Sequence, residues 1–204
     1  MIEKEAMYKI TYGLFMLTST DGEKQNGCIV NTVSMITDNP KRITVFVNKS
    51  NYTDELIRKT GVLNVSILTE STPFSVFEKF GFVSGRDTDK FAGENYPKTE
   101  NGLYYLPEHC NAVLSAKVVG IHDYGTHSLF VAEVTEAKKL SSETSVTYEY
   151  YQNHIKPRPQ AKTEGGKKKW VCKICGYTHE GDELPDDFIC PWCKHPAEDF
   201  ELVQ

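Results

Sequence analysis

No apolar run in the 204-residue chain approaches the roughly 18 residues that a membrane span requires. The N-terminus is charged and lacks an apolar h-region, so no export signal is expected and the expected compartment is cytoplasmic. No G-x-G-x-x-G follows a candidate strand and no P-loop occurs, which argues against a doubly wound dehydrogenase. Internal repeats and low-complexity segments are also missing. Cysteine is scarce, at six residues, and without export the thiols read as ligands or buried groups rather than disulfides. Cys28 and Cys110 are expected to be buried and inert. There is no basic excess either: the net charge is −5, and nucleic acid is a poor candidate partner.

What the chain does have is concentrated near its C-terminus. Cys172 and Cys175 form one C-x-x-C pair, Cys190 and Cys193 a second, and fourteen residues separate the two pairs. Each pair places two thiolates on one tight turn, and two such turns close a tetrahedral metal site. A segment this short has too little core to fold unaided, so the metal is expected to be part of its fold. Zinc there would make a strut and iron a one-electron carrier. On spacing alone both remain open.

Composition, with 39% hydrophobic and 25% charged residues, suits one medium domain and one small one. Residues 156–169, with two prolines, a Gly-Gly and many charges, read as a linker. The expected domains are therefore residues 1–155 and 170–204. From Trp170 onward there are two lysines and eight acidic residues, a balance of −6, which serves solubility or, on an electron carrier, docking to a basic partner surface. The first domain reads as mainly β. Strands are expected over Tyr8–Thr18, Gly27–Ile36, Arg42–Asn48, Val62–Leu68, Ala112–Ile121 and Ser128–Lys138. Short helices are expected over Thr53–Thr60 and Pro73–Phe80, ended by Gly61 and Gly81. Many strands and few helices favour a barrel or sandwich.

Three stretches of the tail, Trp170-Val-Cys-Lys-Ile-Cys-Gly-Tyr177, Leu184-Pro-Asp-Asp-Phe-Ile-Cys-Pro-Trp-Cys193 and Pro196-Ala-Glu-Asp-Phe-Glu-Leu-Val203, resemble rubredoxin. That resemblance implies a mononuclear iron held by Cys172, Cys175, Cys190 and Cys193. It also implies that Gly176 and Pro191 shape turns aiming N–H groups at sulfur, with Trp170, Tyr177, Phe188 and Phe200 as an aromatic core. The Gly176–Ile189 loop is shorter than in free-standing rubredoxins and is similar to that of rubrerythrins. Trp192 and Lys194-His195 depart from the usual pattern.

Residues 5 to 155 resemble the flavin reductases with an FMN-binding split barrel, through pieces that keep the family's order. These are Tyr12-Gly13-Leu14, Asn26-Gly27-Cys28-Ile-Val-Asn-Thr-Val-Ser34, Val47-Asn-Lys-Ser-Asn-Tyr-Thr53, Phe80-Gly-Phe-Val-Ser-Gly-Arg-Asp87 with Asp89-Lys-Phe91, and Gly125-Thr-His-Ser-Leu-Phe-Val-Ala-Glu-Val134. Thr126 stands where the family usually has aspartate. The resemblance implies that Asn31, Thr32, Val33 and Ser34 meet the flavin ring, and that Asn48, Lys49, Ser50, Asn51 and Thr53 lie by its phosphate. Ser84, Gly85, Arg86 and Lys90 would lie near the ring and ribityl chain, with His127 on the nicotinamide side. Each group also has a plainer reading. Asn48–Thr53 offers a cation, short polar side chains and free N–H groups, as a phosphate needs, or simply a helix capped by Asn51 or Thr53. Asn31, Thr32 and Ser34 equally suit a solvent-facing strand. Arg86 and Lys90 are either flavin or nicotinamide-phosphate partners or exposed loop charges, and a lone strand histidine is commonly structural. Hydride transfer needs alignment rather than an acid or base, so no catalytic dyad is expected.

In combination the two parts resemble the high-molecular-weight rubredoxins. That family implies flow from NADH or NADPH through FMN and iron to a flavodiiron protein or rubrerythrin, in a homodimer. Two competing readings stay open. One is a flavin or ferric reductase with a zinc strut, and the other a non-enzymatic flavin-binding docking module.

Overall fold

Strict alternation along Lys41–Asn48 buries Ile43, Val45 and Val47 and turns their neighbours outward, the signature of a strand with one face on a core. It is one of seven strands in the first of two units, residues 1–153 and 154–204, into which the chain divides. The computed structural model describes residues 3–7, 9–157, 168–173, 176–191 and 195–203. Residues 158–167 of the expected linker lie outside them.

The first unit begins with a helical turn, α1 (Lys4–Met7), and then builds an antiparallel sheet. Its strands are β1 (Phe15–Thr20), β2 (Gln25–Val30), β3 (Val33–Asp38), β4 (Lys41–Asn48), β5 (Val62–Leu68), β6 (Cys110–Asp123) and β7 (His127–Lys139). They are ordered β2-β1-β5-β6-β7-β4-β3. Consecutive strands β2 and β3 thus occupy opposite edges. Laid flat, the edges of seven strands would be about 28 Å apart. Only Asn31 and Thr32 join them, and Val30 to Val33 reaches about 10 Å. The sheet must therefore roll up. Among the described residues no ladder pairs β2 with β3, so the barrel stays split at that seam. Leu17, Val45, Val47, Leu63, Val65 and Phe130, all fully buried, fill its interior.

Helix α2 (Tyr52–Thr60) packs Leu56 and Ile57 inward against β1, β2 and β4. It ends where Gly61 adopts a left-handed φ of 70° and donates its N–H to Ile57 O at 2.8 Å. Helix α3 (Phe74–Phe77) is shorter than expected and widens into a π-helical turn over Glu78–Phe82. The Lys90 ammonium takes the Phe80 carbonyl there at 3.1 Å, a side-chain insertion of the kind that distorts helices. Two further expectations are corrected. The strand expected over Tyr8–Thr18 starts only at Phe15, because Gly13, with the Phe15 ring against it, bridges to Thr147 instead. The strand expected over Gly27–Ile36 is two strands, broken where the chain crosses the seam. A last turn, α4 (Tyr148–Tyr150), is capped by Thr147, whose hydroxyl accepts from Tyr150 N at 3.1 Å.

The long segment between the π turn and β6 is fastened from below. Asn64 on β5 is fully buried and donates to Thr99 Oγ1 at 2.7 Å and Leu103 O at 3.1 Å, while accepting from Asn101 Nδ2 at 2.9 Å. In the same segment Phe91 meets Tyr96 edge-on and Tyr104 at a tilt, with ring centroids 5.0 and 4.9 Å away.

The second unit is a three-stranded sheet of β8 (Lys169–Cys172), β9 (Thr178–Glu180) and β10 (Phe200–Leu202), ordered β10-β8-β9. Phe200 meets Phe188 edge-on at 5.3 Å and Tyr177 at 6.4 Å, and His179 adds itself to Phe188 at 4.6 Å. Val171, Cys172, Cys190 and Phe200 are buried beneath.

Two predictions follow from these buried polar groups. Asn64→Ala strands its partners in the interior and is expected to lower unfolding free energy by about 2–3 kcal/mol. Urea denaturation measures it, and a loss under about 0.5 kcal/mol would contradict the bonding described. Burial pulls the Lys90 ammonium from 10.5 down to about 8. Between those values the unfolded chain holds the extra proton, so stability rises with pH across the window. Relative to Lys90→Met, the wild type is expected to gain about 2 kcal/mol between pH 8 and 9.5. Urea midpoints that keep a constant difference over this range would show the ammonium to be solvated.

Candidate functional site

Strand β4 links two of the polar groups singled out in the sequence. Its Val45 pairs with Val33 and its Asn48 with His127, so the two groups lie along one strand about 10 Å apart. At the first, Asn31, Thr32 and Val33 are half-buried and Ser34 is exposed. Thr32 donates its hydroxyl to Phe46 O at 3.3 Å and accepts from Phe46 N at 3.1 Å, which locks the seam crossing to β4.

At the second group three of the N–H donors expected to be free are already used. Lys49 N–H goes to Thr126 O at 3.0 Å, Ser50 N–H to Asn48 Oδ1 at 2.9 Å and Asn51 N–H to Asn48 O at 2.9 Å. The Lys49 ammonium pairs with Asp123 and, by that hydrogen bond first, holds the Asp123 carboxyl below its ordinary value. Exposed Ser50 and half-buried Asn51 are left to present polar side chains at the start of α2. Thr53 is not the helix cap. Asn51 occupies the N-cap position without a side-chain cap bond, and Thr53 is fully buried, its hydroxyl accepting from Asn26 Nδ2 at 2.9 Å. His127 is half-buried, with Nδ1 sharing a hydrogen bond with Thr126 Oγ1 at 2.9 Å.

The Ser84–Arg86 segment is brought against the start of α2. Arg86 pairs with Glu55 through two hydrogen bonds, which lowers the Glu55 carboxyl and raises the guanidinium, and it lies 5.2 Å from the Tyr52 ring. Lys24 donates to Gly85 O at 2.8 Å and lies on the same Tyr52 ring. Lys90, expected as a loop cation, is instead 4% exposed and donates to Gly27 O at 2.9 Å as well as to Phe80 O. Tyr52 and Asn26 are the residues that sequence reasoning passed over. Asn26 stood inside the motif beginning at that residue, and its signal was position rather than chemistry. A cavity of 620 Å³ opens beside Lys24, Gln25, Phe91, Lys98, Asn101 and Tyr104, and none of the expected flavin residues lines it.

Two observations bear on whether the residues suit a flavin. Exposed hydroxyl and amide side chains flank the entrance to α2, as an anion requires. Gly85 also keeps the backbone where a Cβ would collide with Asn26 at 2.0 Å. The two leftover thiols, Cys28 and Cys110, are buried and raised by desolvation, Cys110 to about 12, so neither is a nucleophile.

In the second unit the two described cysteines sit on matching turns. Cys172 N–H donates to Tyr177 O and Cys190 N–H to His195 O, each at 2.8 Å and each five residues ahead. Gly176 takes a left-handed φ of 80° to close the first turn, donating to Cys172 O. Both thiols are fully buried, a donor set suited to a thiophilic metal. The expectations on Cys175, Cys193, Trp192 and Lys194 fall outside the described residues.

Comparison with known proteins matches both units in order. A family model described as flavin reductase like domain covers residues 7–158, and one described as rubrerythrin, rubredoxin-like domain covers residues 170–201. The chain is 36% identical over 230 residues to the high molecular weight rubredoxin of Moorella thermoacetica, covering 99% of this chain and 100% of that one. It is 38% identical over 150 residues to the ferric-chelate reductase (NAD(P)H) of Archaeoglobus fulgidus, covering 74% of this chain and 89% of that one. Among solved structures, the styrene monooxygenase flavin reductase from Pseudomonas putida S12 shares the fold. Its TM-score is 0.63 at 20% identity, over 78% of this chain and 100% of that one. The first domain thus implies a flavin and the second implies iron. With a split barrel followed by paired cysteine turns, and with a relative matching along its full length, the chain belongs to the high-molecular-weight rubredoxin family of flavin reductase–rubredoxin oxidoreductases.

Proposed function

We propose that the protein passes electrons from NAD(P)H through FMN to a mononuclear iron held by Cys172, Cys175, Cys190 and Cys193, and on to a redox-partner protein. A flavodiiron protein or a rubrerythrin is the partner class this reading favours. The observation that carries it is the pairing, in one chain, of a flavin reductase barrel with a unit that buries thiols on matching turns. A bound flavin takes electrons as a pair and releases them singly, whereas iron in four thiolates takes one at a time.

In this reading residues 1–155 hold the flavin, residues 156–169 are a linker and residues 170–204 hold the iron. A tether of that length keeps the two at an effective concentration on the order of millimolar. Asn31–Ser34 would meet the ring, and the side chains of Asn48, Ser50 and Asn51 the phosphate, with Lys49 and Arg86 supplying positive charge through ion pairs that would have to open. Ser84, Gly85 and His127 would flank the ring. Thr53 and Lys90, both turned inward, would support the site from behind rather than touch the cofactor.

Other features support the remaining parts of the reading. Exposed Met35 and Ile36 on edge strand β3, with Val119, Ile121 and Tyr124 on the β6–β7 hairpin, suit a homodimer. Exposed Ile189 and Leu202 lie in an acidic unit, suiting a partner with a basic rim. Unbridged Cys28 and Cys110 suit the cytoplasm.

The test is an anaerobic visible spectrum before and after NADH, with metal analysis, on the wild type and Cys172→Ser. Both proteins are expected to bleach their flavin bands. The long-wavelength iron–thiolate absorption should be present and bleached only in the wild type, and transfer to a protein acceptor should fall at least about tenfold in the variant. Zinc in place of iron, with only flavin bleached, would leave a flavin or ferric reductase with a strut. Absence of NAD(P)H oxidation would leave a docking module.

A further inference from the structure

Asn26 lies on β2 and is 2% exposed. One side of its carboxamide faces helix α2, where Nδ2 donates to Thr53 Oγ1 at 2.9 Å. The other side faces the Ser84–Arg86 segment. A Cβ built on Gly85 would lie 2.0 Å from Asn26 Oδ1, 2.4 Å from Cγ and 2.7 Å from Nδ2. The whole amide group is thus pressed against one backbone carbon. It has little room to yield, because Thr53 on its other side is itself fully buried. Asn26 Oδ1 meanwhile has no hydrogen-bond partner among the described residues, although it is buried. Folded proteins rarely keep a buried acceptor in that state. Local stability alone does not account for an asparagine here, whereas the two segments on either side of it do.

Resting on the flavin reading above, we propose that Asn26 is a positioning residue that sets the spacing between Ser84–Arg86 and the start of α2, so that both segments meet the flavin as one preset unit. The surface contacts between the same segments, Arg86 with Glu55 and with Tyr52, are exposed and adjustable. Asn26 supplies the fixed distance beneath them. Glycine at position 85 is then required by the amide of Asn26 and not by backbone conformation, since its φ is not in the left-handed range.

A double-mutant cycle on the full-length protein tests this, with FMN affinity read from titration of the visible flavin bands. Gly85→Ala is expected to raise the FMN Kd about tenfold or more, because the new methyl drives Asn26 off Thr53. In an Asn26→Ala background the same change is expected to cost less than about threefold, since the methyl enters vacated space. Thr53→Val supplies a second cycle in case Gly85→Ala folds poorly: it should raise the Kd in the wild type and add nothing to Asn26→Ala. The urea midpoint of the flavin-free variants separates positioning from mere packing, and the coupling seen in Kd should exceed the coupling seen in stability. Additive penalties in both cycles, or coupling of equal size in binding and unfolding, would overturn the role of Asn26 while leaving the flavin reading intact. A wild-type chain that binds no flavin would overturn both.

Discussion

The two-residue crossing at Asn31 and Thr32 is the constraint on which the first unit is organised. It joins strands at opposite edges of a seven-stranded sheet, and so short a connection permits only a rolled sheet. Rolling creates the interior that Leu17, Val45, Leu63 and Phe130 fill. The β3–β4 hairpin sets Phe46 beside the crossing, where it accepts from the Thr32 hydroxyl and donates its N–H to the Thr32 carbonyl. The polar residues at the seam sit where the chain must cross from one edge of the sheet to the other.

Strand β2, on the other side of the seam, works as a platform. Gly27 O receives the Lys90 ammonium, Asn26 holds Thr53, and Lys24 just ahead of the strand holds Gly85 O. A loop that would otherwise lack a sheet partner is thereby tied down at several points along one strand. Burying an ammonium for this purpose opposes its charge, which is why desolvation depresses Lys90 so far. The arrangement trades some stability at neutral pH for a loop of defined shape.

Local signals were legible in the sequence, and those set by tertiary closure were not. Val62–Leu68 and β4 emerge within a residue of their bounds because alternation and β-branching are properties of the strand itself. The break at Asn31 is hard to see in the sequence, since a lone Asn between Ile29-Val30 and Thr32-Val33, with no Gly or Pro beside it, is a weak turn signal. Thr53 looked like a cap because caps are judged from neighbours in sequence, whereas Asn26, distant in sequence, draws it inward. Lys90 looked solvated for the same reason: nothing near it in sequence announces the Gly27 and Phe80 carbonyls. In the second unit ligand spacing is itself local, so the cysteine turns could be anticipated from the chain, and His179 joining Phe188 could not.

The two cysteine turns close themselves, each by one backbone bond from its first cysteine to a carbonyl five residues ahead. Neither closure draws on the stretch between them. Changes confined to residues 182–187, outside β9 and Phe188, therefore leave both closing bonds in place. The exposed acidic residues there, Asp182, Glu183, Asp186 and Asp187, can vary without touching the bonds that shape the two turns.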